Sequence, residues 1–164
     1  MAFKRKPRPL SAAPLTPDEA LAKMEHFCAY RERCPQEVRD KMHELRLPED
    51  LRQQLFDLLQ TERFFDEQRF TELFVRGKFR GNQWGRVRLR MELKMRHISP
   101  DIMEAALAAI EEEQYLEVID ALLTKKLKQW PDDPQRKQKA AAAVIRSGFE
   151  PDLVFLRLRQ VSAE

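Results

Sequence analysis

Arg86, Arg90 and Lys94 recur at every fourth position, and Arg76 and Arg80 do the same shortly before them. Residues four apart share one face of a helix, so each set would line one side of a cylinder. Guanidinium forks and ammonium groups arrayed this way bind phosphates or carboxylates by ion pairing, without bond-making chemistry. Lys78 and Arg88 lie among them. The stretch 74–98 as a whole carries eight Lys or Arg against one acid, Glu92, in a chain whose net charge is only +3. Basic character placed so locally faces a polyanion or an acidic protein surface. The plainer alternative is a solvated helix face.

Other chemistry finds little footing. His26, Cys28, Cys34 and His43 are residue types that zinc uses, but their spacing matches no closed four-ligand pattern and two would fall inside helices; no metal site is expected. Gly77, Gly81 and Gly85 do not form a phosphate loop, because no Gly-Lys-Ser/Thr follows and no strand precedes them. Their spacing instead lets helices approach closely or makes the turn into Asn82. There is no Ser-His-Asp set, no Cys-His pair and no metal-binding helix motif, and nothing marks a carboxylate pair as perturbed. The expectation is a chain that is not an enzyme, with no catalytic residue and no cofactor. Stacking partners for bases are few, namely Trp84, Phe79 and Trp130, which gives weak support to single-strand recognition.

The elements that must position the basic residues follow from composition and pattern. A length of 164 residues suits one domain or an array of small units sharing a core. With 43% apolar and 35% charged residues and only four glycines, the chain is helix-forming stock. No apolar run reaches the roughly 18–20 residues that span a bilayer, and no signal peptide is visible, so no membrane association is expected. Two cysteines in a chain that needs no disulfide staple place it in a reducing cytosol. Residues 1–15, with Lys4, Arg5, Lys6 and Arg8 and no acid, read as a disordered basic tail.

Structure is expected to begin at Thr16, with Pro17 in the first turn and Glu19 completing a capping box. Three helices follow, to about Arg33, from Pro35 to Arg46, and from Pro48 to about Phe65. A shift of 51 residues then brings the same features back twice. Val38 falls on Leu89 and Ala140, Met42 on Leu93 and Val144, Leu47 on Ile98 and Phe149, and Cys28 on Phe79 and Trp130. The fold class is therefore all-α, three tandem three-helix repeats. Their expected bounds are 16–66, 67–117 and 118–164, the last ending in a shortened helix because Arg157 stands where Leu55 and Ala106 do. Asn82 and Asp133 are expected to cap the middle helices of the second and third repeats. Gly148 sits at a helix exit that favours the left-handed conformation, with His97 and Arg46 as its counterparts.

One local conflict is settled by the repeat. From Arg86 to Arg96 polar and apolar residues alternate, the pattern of a half-buried strand. The equivalent stretches in the other repeats are helical, so a helix is expected here too. Leu89 and Leu93 then form its core stripe, while Val87, Met91 and Met95 form a second one that the first repeat lacks. That stripe either packs against a neighbouring repeat or holds a partner. Charge also alternates, with first and second helices basic and third helices acidic, which would give a basic side and an acidic side.

At VRGKFRGNQWGRVRLRMELKMRHISPDI the sequence resembles the RecX family of bacterial recombinase regulators. The match covers a basic-aromatic helix end, a Gly-containing turn, an Arg-rich helix and an exit into Ser-Pro, and the three-repeat layout extends it over residues 17–160. The resemblance implies a curved, elongated monomer that lies in the groove of the RecA filament on single-stranded DNA. There it would modulate, usually inhibit, ATP hydrolysis and strand exchange, in recombination, DNA repair and the SOS response. Direct DNA contact is known in some members. On this reading Arg76, Lys78, Arg80, Arg86, Arg88, Arg90 and Lys94 meet the filament or DNA phosphate. The alternative is a helical-repeat nucleic-acid-binding protein that acts without a recombinase.

Overall fold

The computed structural model describes residues 13–162, which form nine helices and no strand among the described residues. Nearly all of the basic tail, residues 1–12, lies outside them. The helices fall into three triads. The first is α1 (Pro17–Tyr30), α2 (Pro35–Glu44) and α3 (Glu49–Thr61). The second is α4 (Glu67–Asn82), α5 (Arg86–Met95) and α6 (Pro100–Ala108), and the third α7 (Glu112–Gln129), α8 (Arg136–Arg146) and α9 (Pro151–Val161). α7 starts ahead of position 118, where the period placed the third repeat. The last helix is not short: α9 has 11 residues against nine in α6. Arg157 is tolerated there because its guanidinium pairs with both carboxylate oxygens of Asp120 on α7, an ion pair where the other repeats bury Leu55 and Ala106.

By packing, the chain divides into two compact units, up to Phe70 and from Thr71 onward. In the first, Ala20, Met24, Cys28, Val38, Met42, Leu55, Phe56 and Leu59 make one apolar cluster of the three helices. Thr16 and Glu19 form the expected capping box, each accepting the other's backbone N–H. Asp66 caps α4 by accepting the Arg69 N–H at 2.8 Å, and that bond, first among its causes, holds its carboxyl below the usual 3.8. Cys28 and Cys34 are both free and buried. Burial pushes the Cys28 thiol up to about 11 and raises Cys34 as well.

The second unit holds the other two triads apart from the first turn of α4. Leu89 and Leu93 of α5 are buried with Ala140 and Val144 of α8, as Val38 and Met42 are in the first unit. The repeated positions are thus core positions. Trp130 is the exception. Cys28 and Phe79 are buried, but Trp130 ends α7 in a non-helical conformation and is only half-buried.

The exits from the middle helices are three versions of one turn. Arg46, His97 and Gly148 all have positive φ, at 58°, 55° and 96°. Each N–H returns to a carbonyl of the last turn, at His43, Lys94 and Ile145. The next N–H, of Leu47 or Ile98, reaches back to Met42 or Leu93. The side chains of Leu47, Ile98 and Phe149 are buried beyond the turn. This pairing of a left-handed residue with an apolar one after it satisfies the orphan carbonyls of a helix end. It explains why these positions recur at the 51-residue offset.

Candidate partner-binding surface

Residues 86–95 do form a helix, and the alternation that imitates a strand gives α5 two apolar stripes. Leu89 and Leu93 face inward. Val87, Met91 and Met95 are 47%, 55% and 66% exposed, so the second stripe does not pack against another repeat of this unit. Together with Arg90 and Lys94 it lines a shallow depression of about 500 Å³. Neighbouring exposed methionines offer soft, adaptable apolar contact.

The N-terminus of α5 is not built as the sequence implied. Asn82 is the last residue of α4, and the cap position is Gly85, with no side-chain bond. The free N–H groups are satisfied from the third triad. Arg86 N–H donates to the Tyr115 hydroxyl at 2.9 Å and Val87 N–H to the Gly148 carbonyl at 3.0 Å. Gly85 N–H donates to the Ser147 carbonyl at 2.9 Å. A Cβ on Gly85 would lie 2.1 Å from the Gly148 oxygen, so close backbone approach explains this glycine. It does not explain Gly77 or Gly81, around which there is open space. Asp133 likewise lies before the α8 cap residue, Gln135, whose N–H it accepts.

Tyr115 ties this junction together. Its hydroxyl donates to Glu150 Oε2 at 2.6 Å, and its ring lies between Phe79 and Phe149, with centroids at 5.8 and 5.1 Å. Burial, with the Glu150 bond second, raises its phenol pKa.

The basic residues separate into two groups. Arg86 donates to Glu112 at 2.8 Å and to the Ile110 carbonyl, and its guanidinium covers the Tyr115 ring. Arg90 makes a two-pronged pair with Glu104 at 2.7 and 3.0 Å. That bond, ahead of burial's opposing effect, holds the Glu104 carboxyl below its usual value, and Lys94 adds to the field. Arg88 stacks over Trp84 at 4.0 Å, and Lys78 lies 5.0 Å from the same ring. Arg76, Arg80 and Lys94 are the three of the seven whose side chains have neither an ion pair, a hydrogen bond nor a ring contact among the described residues. The basic helix α5 and the acids of α6 and α7 therefore neutralise one another in part, and the expected basic and acidic sides are less segregated than the sequence implied.

No group of three or more His, Cys, Asp or Glu is placed to hold a metal among the described residues. No described helix is long and apolar enough to cross a membrane.

Comparison with known proteins agrees with this architecture. Residues 66–107 match the family model described as RecX, second three-helix domain, and residues 112–155 match RecX, third three-helix domain. A regulatory protein RecX from Xanthomonas citri is 30% identical over 120 residues, covering 73% of this chain and 74% of its own length. One from Oceanobacillus iheyensis is 24% identical over 138 residues, or 83% of this chain. The chain spans about half of that relative, 51%. The crystal structure of RecX from Lactobacillus salivarius superimposes with a TM-score of 0.82 at 19% identity, covering 90% of this chain and 97% of the other.

Proposed function

That this chain belongs to the RecX family is the premise from which we propose a non-catalytic regulator of homologous recombination and DNA repair. It binds the RecA filament on single-stranded DNA, within the filament groove, and lowers ATP hydrolysis and strand exchange. The observation that carries the reading is the exposed Val87, Met91 and Met95 stripe beside Lys94. A surface that is apolar at its centre and cationic at its edge suits a folded protein partner better than bare phosphate, which rewards charge alone. The expected binding residues divide accordingly. Lys94, Arg76 and Arg80 reach a partner directly, whereas Arg86 and Arg90 shape the surface from within, and Lys78 and Arg88 do so through Trp84.

The test is the rate of ATP hydrolysis by RecA on single-stranded DNA, with this chain added. The expected result is a dose-dependent fall. Changing Met91 and Met95 together to Glu should weaken the effect about tenfold, as loss of a central apolar anchor does, with an unchanged circular dichroism spectrum. No change in hydrolysis and no binding to the filament at several-fold excess would overturn the proposal. Binding to bare DNA with a steep salt dependence, undiminished when RecA is absent, would favour a nucleic-acid-binding protein acting alone.

A further inference from the structure

The second unit contains a pocket, distinct from the α5 depression, at positions where the first repeat carries the larger side chains of Leu55 and Leu58. It lies between α4, α6 and the start of α7 and has a volume of about 270 Å³. Its floor is Val75, Phe79, Ala106 and Ile110, all buried. The 51-residue period shows how it arises. Ala106 and Ala109 stand where the first repeat has Leu55 and Leu58, and Glu72 stands where it has Leu21. In the first repeat Leu55 is buried and Leu21 packs against the apolar cluster. In the second, the two alanines leave the space open, and Glu72 puts a polar group in place of an apolar one.

The same period shows a change of charge at the rim. Arg76 and Arg80, one turn apart on α4, stand where the first repeat has Glu25 and Ala29. Both line the pocket, and their side chains have no ion-pair or hydrogen-bond partner among the described residues. Two acids also line the pocket, and both are engaged by neighbours: Glu72, and Glu111, which accepts a hydrogen bond from Gln114 at 3.0 Å. An apolar hollow beside two unpaired guanidinium forks is a composite site: the hollow takes a hydrocarbon side chain and the forks take carboxylates.

We infer that this pocket binds an acidic peptide segment of a protein partner, which inserts one aliphatic or aromatic side chain between α4 and α6 and lays its carboxylates on Arg76 and Arg80. A nucleobase fits less well. The floor has no hydrogen-bonding side chain for a base edge, and the Phe79 ring is stacked on Tyr115. The peptide's chemistry follows from the lining alone and does not depend on the recombinase reading.

The experiment titrates the isotope-labelled full chain with the peptide acetyl-Glu-Asp-Leu-Phe-Asp-Glu-amide and follows amide shifts by NMR. The expected result is shifts centred on Ala106, Ala109 and Ile110. Ala109→Leu fills the hollow with the residue that the first repeat carries at that place, and Ala109 is exposed, so the fold is kept. This variant should bind about tenfold more weakly, and so should Arg76→Gln combined with Arg80→Gln. A control peptide with Ser for Leu and Phe should bind the native chain as weakly as Ala109→Leu binds the first peptide. Equal affinity in Ala109→Leu, or shifts only outside the pocket, would overturn the proposal. So would shifts at these residues driven by oligothymidine or by self-association without the peptide. Because RecA is absent, this outcome is separate from that of the hydrolysis assay.

Discussion

Arginine in the first turn of a helix works against the helix dipole, and α5 carries two there, Arg86 and Arg88. Both are held by neighbours, Arg86 by Glu112 and Tyr115 and Arg88 by the face of Trp84. Regular spacing of cations is therefore a poor guide to which of them meet a partner. Arg86, Arg90 and Lys94 look equivalent in the sequence, because their spacing is that of one helix face. Their environments differ because the acids that engage two of them, Glu104 and Glu112, lie on other helices. The expected consequence is measurable in urea unfolding. Arg86→Ala should cost about 1–2 kcal/mol, since it strips a half-buried hydrogen-bonded charge from its partners. Lys94→Ala, at an exposed position, should stay within about 0.5 kcal/mol. Equal costs would contradict this division of the basic residues.

Among the elements, the helix exits were the most legible. Gly148 marks a left-handed residue by its type, and the period transfers that conformation to His97 and Arg46, where the residue type alone does not show it. The buried positions were legible for the same reason, because Leu47, Ile98 and Phe149 serve one turn geometry three times. Helix starts were less so. Asn82 has a good capping side chain, but α5 takes its partners from Tyr115 and Gly148, far along the chain, and no local pattern announces them. A left-handed residue with a Cβ costs about 1–2 kcal/mol relative to the right-handed form. Arg46→Gly and His97→Gly should therefore each stabilise the fold, by about 0.5–1 kcal/mol once the added freedom of the unfolded glycine is counted. Gly148→Ala should destabilise by about 2 kcal/mol or more, since the new Cβ would also lie 2.2 Å from that of Arg88. Thermal melts of the three variants check this, and a stabilised Gly148→Ala would refute it.

For the molecule as a whole, the fold class was legible and the pocket was not. A repeat announces what its copies share, and the pocket consists of what the second copy omits at Ala106 and Ala109. Stability against pH has a cause in each compact unit. Asp66 in the first and Glu104 in the second hold their protons less tightly when folded than at their ordinary 3.8 and 4.5. Their contribution is complete above those values and is lost as pH falls through the lowered ones. Cys28 acts at the other end: raised from 9.0 to about 11, it stabilises fully below pH 9 and loses its contribution as pH rises through 11. Tyr115, also raised, adds to that loss. The midpoint of urea unfolding, followed by circular dichroism, should be level across neutral pH and fall at both ends. A midpoint that rises on going below pH 4.5 would show that these carboxylates do not govern the acid limit.

The bond from Val87 N–H to the Gly148 carbonyl has a use as a reporter. Amides in the first turn of a helix have no partner within the helix, and they exchange with solvent hydrogen quickly even when the helix is intact. Val87 can be slow only while the exit of α8 stays docked on the start of α5. Its exchange rate therefore measures how often the last two triads come apart, one amide reading out a junction that no change in helix content would reveal.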